Sequence, residues 1–130
     1  MRTRILALTA AALVSVPVLA ANAWAAPTDL NAPYARAAAR VGGDATLLAT
    51  KNVSSAARVN GRPVGYYCVA VSDATVNLSD AAVLATVNNN RAMITAIPNS
   101  SCNGQSRTIT IVTTDHANAP VDVPFTVAVL

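Results

Sequence analysis

The sequence contains no glutamate, and charged residues make up only 12% of its 130 residues. Helices of soluble proteins draw heavily on Glu, Lys and Leu, whereas strands favour Val, Ile and Thr. This chain is rich in Val, Ala, Thr, Asn and Ser. The composition therefore favours an all-β protein before any periodicity is considered.

Side chains that carry catalysis or bind metals are also scarce. The chain has one histidine and two cysteines, which without glutamate cannot supply a zinc site. Its aspartates are too dispersed for an EF-hand loop or a glycosidase pair, which leaves open only a calcium site built partly from backbone carbonyl groups. There is no Gly-x-Ser-x-Gly elbow and no glycine-rich phosphate loop. The sequence therefore predicts no enzyme activity, metal or cofactor.

The N-terminal residues have the three parts of a secretory signal peptide. A basic start with Arg2 and Arg4 precedes an apolar run over residues 5–20 and the small-residue stretch 21–26. This pattern predicts a cleavable signal helix over residues 1–25 and a secreted mature protein. Because the apolar run is short, a permanent membrane helix is the weaker alternative.

Cleavage is predicted between Ala25 and Ala26, because a cut one residue later would leave Pro27 at the new N-terminus. Removal of the signal peptide leaves seven basic residues against six aspartates, and it also removes the only tryptophan. The remaining cations are scattered, so the sequence predicts no nucleic-acid or anionic-membrane interface. Too few aromatic residues remain to favour a carbohydrate-binding platform.

The C-terminal segment shows the clearest periodicity. Apolar side chains occupy every second position of residues 121–129, which predicts a half-buried strand. Pro124 cannot donate a ladder hydrogen bond, so we expect this strand at a sheet edge or with a bulge. Residues 108–114 predict a second strand, and the turn-forming residues 115–120 predict that the two strands form a hairpin.

Asn60 and Gly61 lie between two alternating runs, residues 53–59 and 64–71. Both residues tolerate positive φ, so the sequence predicts an antiparallel hairpin with a type I′ turn. Residues 82–87 and 91–97 flank three asparagines and predict another hairpin.

Residues 65–71, GYYCVAV, are apolar on both faces, which predicts a central strand covered on both sides. We expect the face with Tyr67 to point into the core and the face with Cys68 to lie beneath the loop around Cys102. Tyr66 shares the second face, where its hydroxyl group is a weaker candidate for a binding surface.

Two further segments complete the count of strands. Residues 46–50 predict a strand, and residues 34–40 predict another, with one or two helical turns as the alternative. Seven or eight short strands favour a single antiparallel β-sandwich over residues 34–130, with a β-barrel as the alternative. The proline-containing segment 26–33 predicts a flexible N-terminal arm.

Cys68 and Cys102 are the only cysteines, and an exported protein meets an oxidising compartment. The sequence therefore predicts one disulfide, and closing a loop of about 35 residues destabilises the unfolded chain by about 3–4 kcal/mol. A redox-active or nucleophilic thiol is the weaker alternative, because no Cys-x-x-Cys spacing is present.

Three features of the chain carry a resemblance. Gly65, Tyr67 and Val69 form a Gly-x-Tyr-x-Val strand, Cys102 follows late, and the closing segment from Asp122 reads DVPFTVAVL. With these features the mature domain resembles a loosely defined group of small secreted β-domains from actinobacteria. The resemblance implies the fold and an exported bacterial protein. Because the group has no assigned activity or site residues, it implies no ligand or reaction.

The leading hypothesis is a secreted, non-catalytic β-domain with a structural or binding role at the cell surface or in the medium. Its partner would be a protein or cell-surface component that the sequence does not identify, and self-association through strand edges is a further hypothesis. One alternative is a protease inhibitor that presents the loop over residues 97–105. A third is a secreted hydrolase with His116 as its general base.

Overall fold

The structure of the chain is a computed structural model that describes residues 25–130. The predicted signal helix lies outside the described residues except for Ala25. Nine strands and one short 3-10 helix at Cys102–Gly104 are present in the described part. The strands are β1 (Thr28–Asp29), β2 (Ala37–Val41), β3 (Leu47–Lys51), β4 (Val53–Arg58), β5 (Tyr66–Val71), β6 (Val83–Val87), β7 (Met93–Ile97), β8 (Thr108–Thr114) and β9 (Phe125–Val129).

The strands form two sheets that pack face to face as a β-sandwich. The first sheet has the order β1-β3-β2-β9-β6, and the second has the order β4-β5-β8-β7. Neighbouring strands in both sheets are antiparallel except β1 and β3, which pair in parallel. The predicted all-β sandwich is therefore confirmed, and the barrel alternative is wrong because the two sheets do not close on each other.

The core lies between the sheets and is built from alternate residues of the central strands. Phe125 and Val127 of β9 and Tyr67 and Val69 of β5 are at most 1% exposed. The rings of Tyr67 and Phe125 meet with their centroids 5.0 Å apart. Burial of each such side chain stabilises the fold by about 1.5–3 kcal/mol. The predicted inward face of residues 65–71 is thus confirmed.

The hairpin predicted around the three asparagines is wrong. β6 pairs with β9 in the first sheet, whereas β7 pairs with β8 in the second. The intervening segment carries the chain across the sandwich instead of turning it back. Ala85 of β6 and Ile94 of β7 pack against the same core from opposite sides. The alternation of apolar residues is satisfied by either topology, so it predicted the strands but not their sheet.

The C-terminal hairpin is wrong for the same reason. β8 belongs to the second sheet and β9 to the first, and only an isolated bridge between Thr114 and Pro120 joins their ends. β9 is also a central strand, flanked by β2 and β6, and not the expected edge strand. Pro124 is accommodated because the strand begins after it, at Phe125, and its carbonyl oxygen accepts a hydrogen bond from the Asn88 N–H at 2.8 Å.

The hairpin of β4 and β5 is confirmed, but its turn differs from the predicted type I′ geometry. Gly61 has φ 69°, whereas Asn60 is outside the positive-φ region. The Arg62 N–H donates to the Val59 carbonyl oxygen at 3.3 Å, as in a type II turn with glycine at its third position. The connection is longer than a two-residue turn because β5 starts only at Tyr66.

The N-terminal segments are partly as predicted. Within residues 34–40 the chain is extended only from Ala37, where β2 begins, so the predicted strand is confirmed over that part and the helical alternative is wrong there. The segment 26–33, predicted as a flexible arm, contributes β1, and the Leu30 N–H donates to the Thr50 carbonyl oxygen at 3.0 Å.

Candidate functional site

Asp122 lies in the segment that carries the chain from the second sheet to the first. Its carboxylate accepts two hydrogen bonds from the Arg58 guanidinium, both at 2.6 Å. It also accepts one from the Gly65 N–H at 2.7 Å and is 3.0 Å from the Tyr67 hydroxyl oxygen. We call Arg58, Gly65, Tyr67 and Asp122 the Asp122 cluster.

Gly43 extends this cluster to the β2–β3 turn. Its carbonyl oxygen accepts a hydrogen bond from Arg58 at 3.2 Å and lies 2.9 Å from the Tyr67 hydroxyl oxygen. A phenol has one proton, so the hydroxyl group donates to Gly43 or to Asp122 at any moment. The Arg58 guanidinium also lies 5.7 Å from the centre of the Tyr67 ring. The cluster therefore ties the β2–β3 turn, β4, β5 and the crossing segment together.

The surroundings of the cluster shift the pKa values of Asp122 and Tyr67 in opposite directions. Hydrogen bonding from Arg58 lowers the pKa of Asp122 to about 2, and the Gly65 N–H and Tyr67 hydroxyl act in the same direction. Burial raises the pKa of Tyr67 to about 12, and its contact with Asp122 adds to this effect. At neutral pH Asp122 is thus ionised and Tyr67 is neutral. Neither is suited to general acid–base catalysis, whose groups titrate near the working pH.

We expect Asp122→Asn to lower the free energy of unfolding by about 1–2 kcal/mol at neutral pH, after allowance for solvent screening of the half-exposed Arg58. The folded pKa of about 2 lies below the ordinary value of 3.8. The wild-type contribution is therefore complete above the ordinary pKa and is lost as the pH falls towards about 2.

Urea unfolding at a series of pH values checks this prediction. The difference between the wild type and Asp122→Asn should shrink as the pH falls, whereas Asp80→Asn, at an exposed site, should leave the stability near that of the wild type. A difference between the wild type and Asp122→Asn that does not change with pH would contradict the assignment.

A groove of about 670 Å³ opens beside this cluster, between β3 and β4. Leu47 and Leu48 of β3 and Ala56 and Ala57 of β4 supply much of its apolar lining. The small alanine side chains of β4 leave the space that larger residues would fill. Its volume lies within the usual range for ligand sites in proteins.

The charged lining of the groove comes from Asp44 and Arg58. The charge of Arg58 is already balanced by its ion pair with Asp122. The Asp44 carboxylate is exposed and accepts hydrogen bonds from the Thr46 N–H at 3.0 Å and hydroxyl at 2.8 Å. These bonds lower the pKa of Asp44, the backbone bond most strongly. Among the side chains that line the groove, the Asp44 carboxylate is therefore the unbalanced charge at neutral pH.

The free edge of β4 forms part of the groove. The Val59 N–H bonds to the Tyr66 carbonyl oxygen, so by the alternation of an antiparallel ladder the backbone groups of Arg58 and Ala56 point away from β5. The carboxamide of Asn103 covers the Arg58 carbonyl oxygen at 2.7 Å. Ala56 also lines the groove, and within residues 25–130 no side chain forms a hydrogen bond with its backbone.

The predicted disulfide is confirmed. Cys68 and Cys102 are bonded, with their Cα atoms 5.8 Å apart, and both residues are buried. Cys68 points to the outer face of the second sheet, beneath the loop around Cys102, as expected.

Ala25 and Ala26, the predicted cleavage residues, are exposed and line the groove. Cleavage between them stays a prediction.

The loop over residues 97–105 is tethered but not extended. Asn99, Ser101 and Asn103 have φ values of 48–54°, in the left-handed region. The Cys102 N–H donates to the Thr108 hydroxyl oxygen at 2.9 Å. A bait loop of a protease inhibitor binds as an extended substrate-like chain, so this conformation does not favour the inhibitor alternative.

His116 lies exposed in the turn after β8. The carboxylate of the adjacent Asp115 accepts hydrogen bonds from the Ala117 and Ala119 N–H groups, at 2.8 and 2.9 Å. Asp115 is therefore used to close its own turn, and this geometry does not favour the hydrolase alternative.

Tyr66, the weaker candidate for a binding surface, is half-buried, and the Arg62 guanidinium lies 5.6 Å from the centre of its ring.

The Asp122 cluster and the groove were missed from the sequence. Arg58 and Asp122 are 64 residues apart, and both are common residue types without a motif around them. A weak signal is Asp122 itself, the one charged residue in the C-terminal strand pattern. No local feature of the sequence indicates that Gly65 lies so close to the crossing segment.

Comparisons with known proteins add no relative to this description. No protein-family model, curated protein or solved structure matches the chain. Within residues 25–130 no helix is long and apolar enough to span a membrane, and no three His, Cys, Asp or Glu side chains are grouped to hold a metal ion.

Proposed function

We propose that the chain is an exported, non-catalytic binding domain that holds an extended, basic peptide segment of a protein partner in the groove between β3 and β4. Export is supported by the signal-peptide pattern of residues 1–25 and by the disulfide, which is typical of oxidising compartments. A cell-surface or extracellular partner follows from that location.

The main support for this proposal is the structure of the groove. Extended peptides bind at free sheet edges through main-chain hydrogen bonds, while pockets on either side accept alternate side chains. The uncovered backbone of Ala56 offers such an edge, and Leu47 and Leu48 offer an apolar wall. The unbalanced Asp44 carboxylate favours a lysine or arginine in the bound segment.

Synthetic peptides of alternating charged and valine residues test this function. We expect a lysine–valine peptide to cause saturable changes in the amide NMR signals of Asp44, Leu48 and Ala56. A glutamate–valine peptide of the same length should bind more weakly, because the Asp44 carboxylate repels its carboxylates. Saturable changes elsewhere on the domain, or equal binding of the two peptides, would contradict the proposal.

A matched pair of variants locates the binding surface. Leu48→Lys adds a positive charge to the groove and should weaken binding of the lysine–valine peptide by about tenfold or more, or about 1.4 kcal/mol. Leu84→Lys places the same change at a similarly exposed leucine on the outer face of the first sheet, where binding should be unchanged. Isothermal titration of both variants measures the difference.

A further inference from the structure

The chain contains two Asn-Gly pairs, Asn60-Gly61 and Asn103-Gly104. Glycine after asparagine favours deamidation, because it has no side chain to hinder the attack of its backbone nitrogen on the asparagine Cγ. The two pairs have the same local sequence chemistry. Their difference in the folded protein is therefore set by the structure.

Asn60 and Gly61 are exposed in the connection between β4 and β5. No heavy atom lies within 4 Å of the position that a Cβ would take at Gly61. The Asn60 N–H donates to Asn103 at 2.8 Å, but the Asn60 carboxamide makes no hydrogen bond within the described residues. Its Cγ is therefore free to approach the Gly61 nitrogen.

Asn103 is held in place on both sides of its carboxamide. Its Nδ2 donates to the Arg58 carbonyl oxygen at 2.7 Å, and its Oδ1 accepts the bond from the Asn60 N–H. The preceding Cys102 is fixed by the disulfide, and the Gln105 N–H closes the turn on the Cys102 carbonyl oxygen at 3.0 Å. The Asn103 carboxamide must leave β4 before it can react.

We propose that Asn60 is a site of spontaneous deamidation in the folded protein and that Asn103 is protected by its contacts with β4. The backbone nitrogen of Gly61 gives up its proton and forms a bond with Cγ of Asn60. The Cγ–Nδ2 bond then breaks, and the leaving nitrogen takes up a proton and departs as ammonia. Water opens the resulting succinimide at either carbonyl carbon, which yields aspartate or isoaspartate without oxidation or reduction.

Both products add a carboxylate to the connection that carries Arg62, next to the outer face of the second sheet. The isoaspartate product also lengthens the main chain inside the turn, which the Arg62 N–H closes on the Val59 carbonyl oxygen. Deamidation therefore changes both the charge and the geometry of the β4–β5 connection.

Peptide mapping of the folded, disulfide-bonded protein during incubation in mildly alkaline buffer tests this inference. After the incubation the disulfide between Cys68 and Cys102 is reduced and the thiols are alkylated, because that bond would otherwise join the two peptides. Trypsin then cleaves after arginine but not before Pro63, so the two sites fall on separate peptides, residues 59–91 and 92–107. Fragmentation spectra then locate each modified asparagine. We expect Asn60 to react at least about tenfold faster than Asn103, because two hydrogen bonds must break to free the Asn103 carboxamide.

The reduced chain in denaturant provides the reference, and there the two sites should react at similar rates. Asn60→Gln should abolish the modification at position 60 without protecting Asn103 in the reduced, denatured chain. Equal rates at Asn60 and Asn103 in the folded protein would overturn the inference. So would faster reaction at Asn103, or no reaction at Asn60 while the denatured chain reacts.

Discussion

Replacing both Cys68 and Cys102 by alanine should lower the free energy of unfolding by about 3–4 kcal/mol and the melting temperature by about 15–20 °C. The bridge joins residues 34 positions apart, so its loss frees a long loop in the unfolded chain. Domains of this size are typically stable by only about 5–15 kcal/mol, so the bridge accounts for a large share of the stability.

Thermal unfolding by circular dichroism, with and without reducing agent, measures this effect. Reducing agent should lower the melting temperature of the wild type towards that of the double variant and leave the variant itself unchanged. A double variant as stable as the oxidised wild type would show that the bridge does not stabilise the fold. The variant should also lose the bond between Asn103 and the edge of β4 more readily, because Cys102 then no longer holds the loop.

Gly65→Ala should destabilise the protein by about 3 kcal/mol, because two costs add at this position. Gly65 has φ 82°, a conformation that residues with a side chain rarely adopt. An added Cβ would also lie 2.5 Å from the Thr113 carbonyl oxygen and 2.8 Å from the Val121 nitrogen. Both contacts are with backbone atoms, one in β8 and one in the crossing segment, so the main chain at Gly65 would have to move away from both.

Gly61→Ala is the matched control for this prediction. Gly61 has φ 69°, but an added Cβ there meets no heavy atom within 4 Å. Only the conformational cost applies, and we expect a loss of about 1 kcal/mol. Urea unfolding of the two variants separates the contributions, and equal losses would mean that the close approach at Gly65 is relieved without cost. The shift of Gly65 should also weaken the bond from its N–H to Asp122.

The sheet membership of the later strands could not be predicted from the sequence. The turn-forming residues between β6 and β7 are compatible with a hairpin and with a crossing from one sheet to the other. In both arrangements Ala85 and Ile94 reach the core, so the burial of apolar surface in these strands does not distinguish a hairpin from a crossing. The same ambiguity applies to β8 and β9: the strong alternation of β9 predicts the strand, but Pro124 favours an edge position, whereas the structure places β9 between β2 and β6.

The candidate site depended still more on long-range structure. Asp122 gains its low pKa only because the crossing segment brings it to Arg58 of β4 and to the N–H of Gly65. The groove exists because β3 and β4, joined by one residue, belong to different sheets and diverge. Neither feature has a sequence motif, since the residues involved are ordinary in type and distant along the chain.

The sequence by itself determined the all-β class, most strand positions, the faces that enter the core and the single disulfide. These properties follow from local periodicity and composition, and two cysteines allow only one pairing. The tertiary structure alone decided which strands share a sheet, how Asp122 is enclosed and where the groove opens. Those outcomes depend on the packing of two sheets, in which many alternative topologies bury the same side chains equally well and only the complete chain selects one.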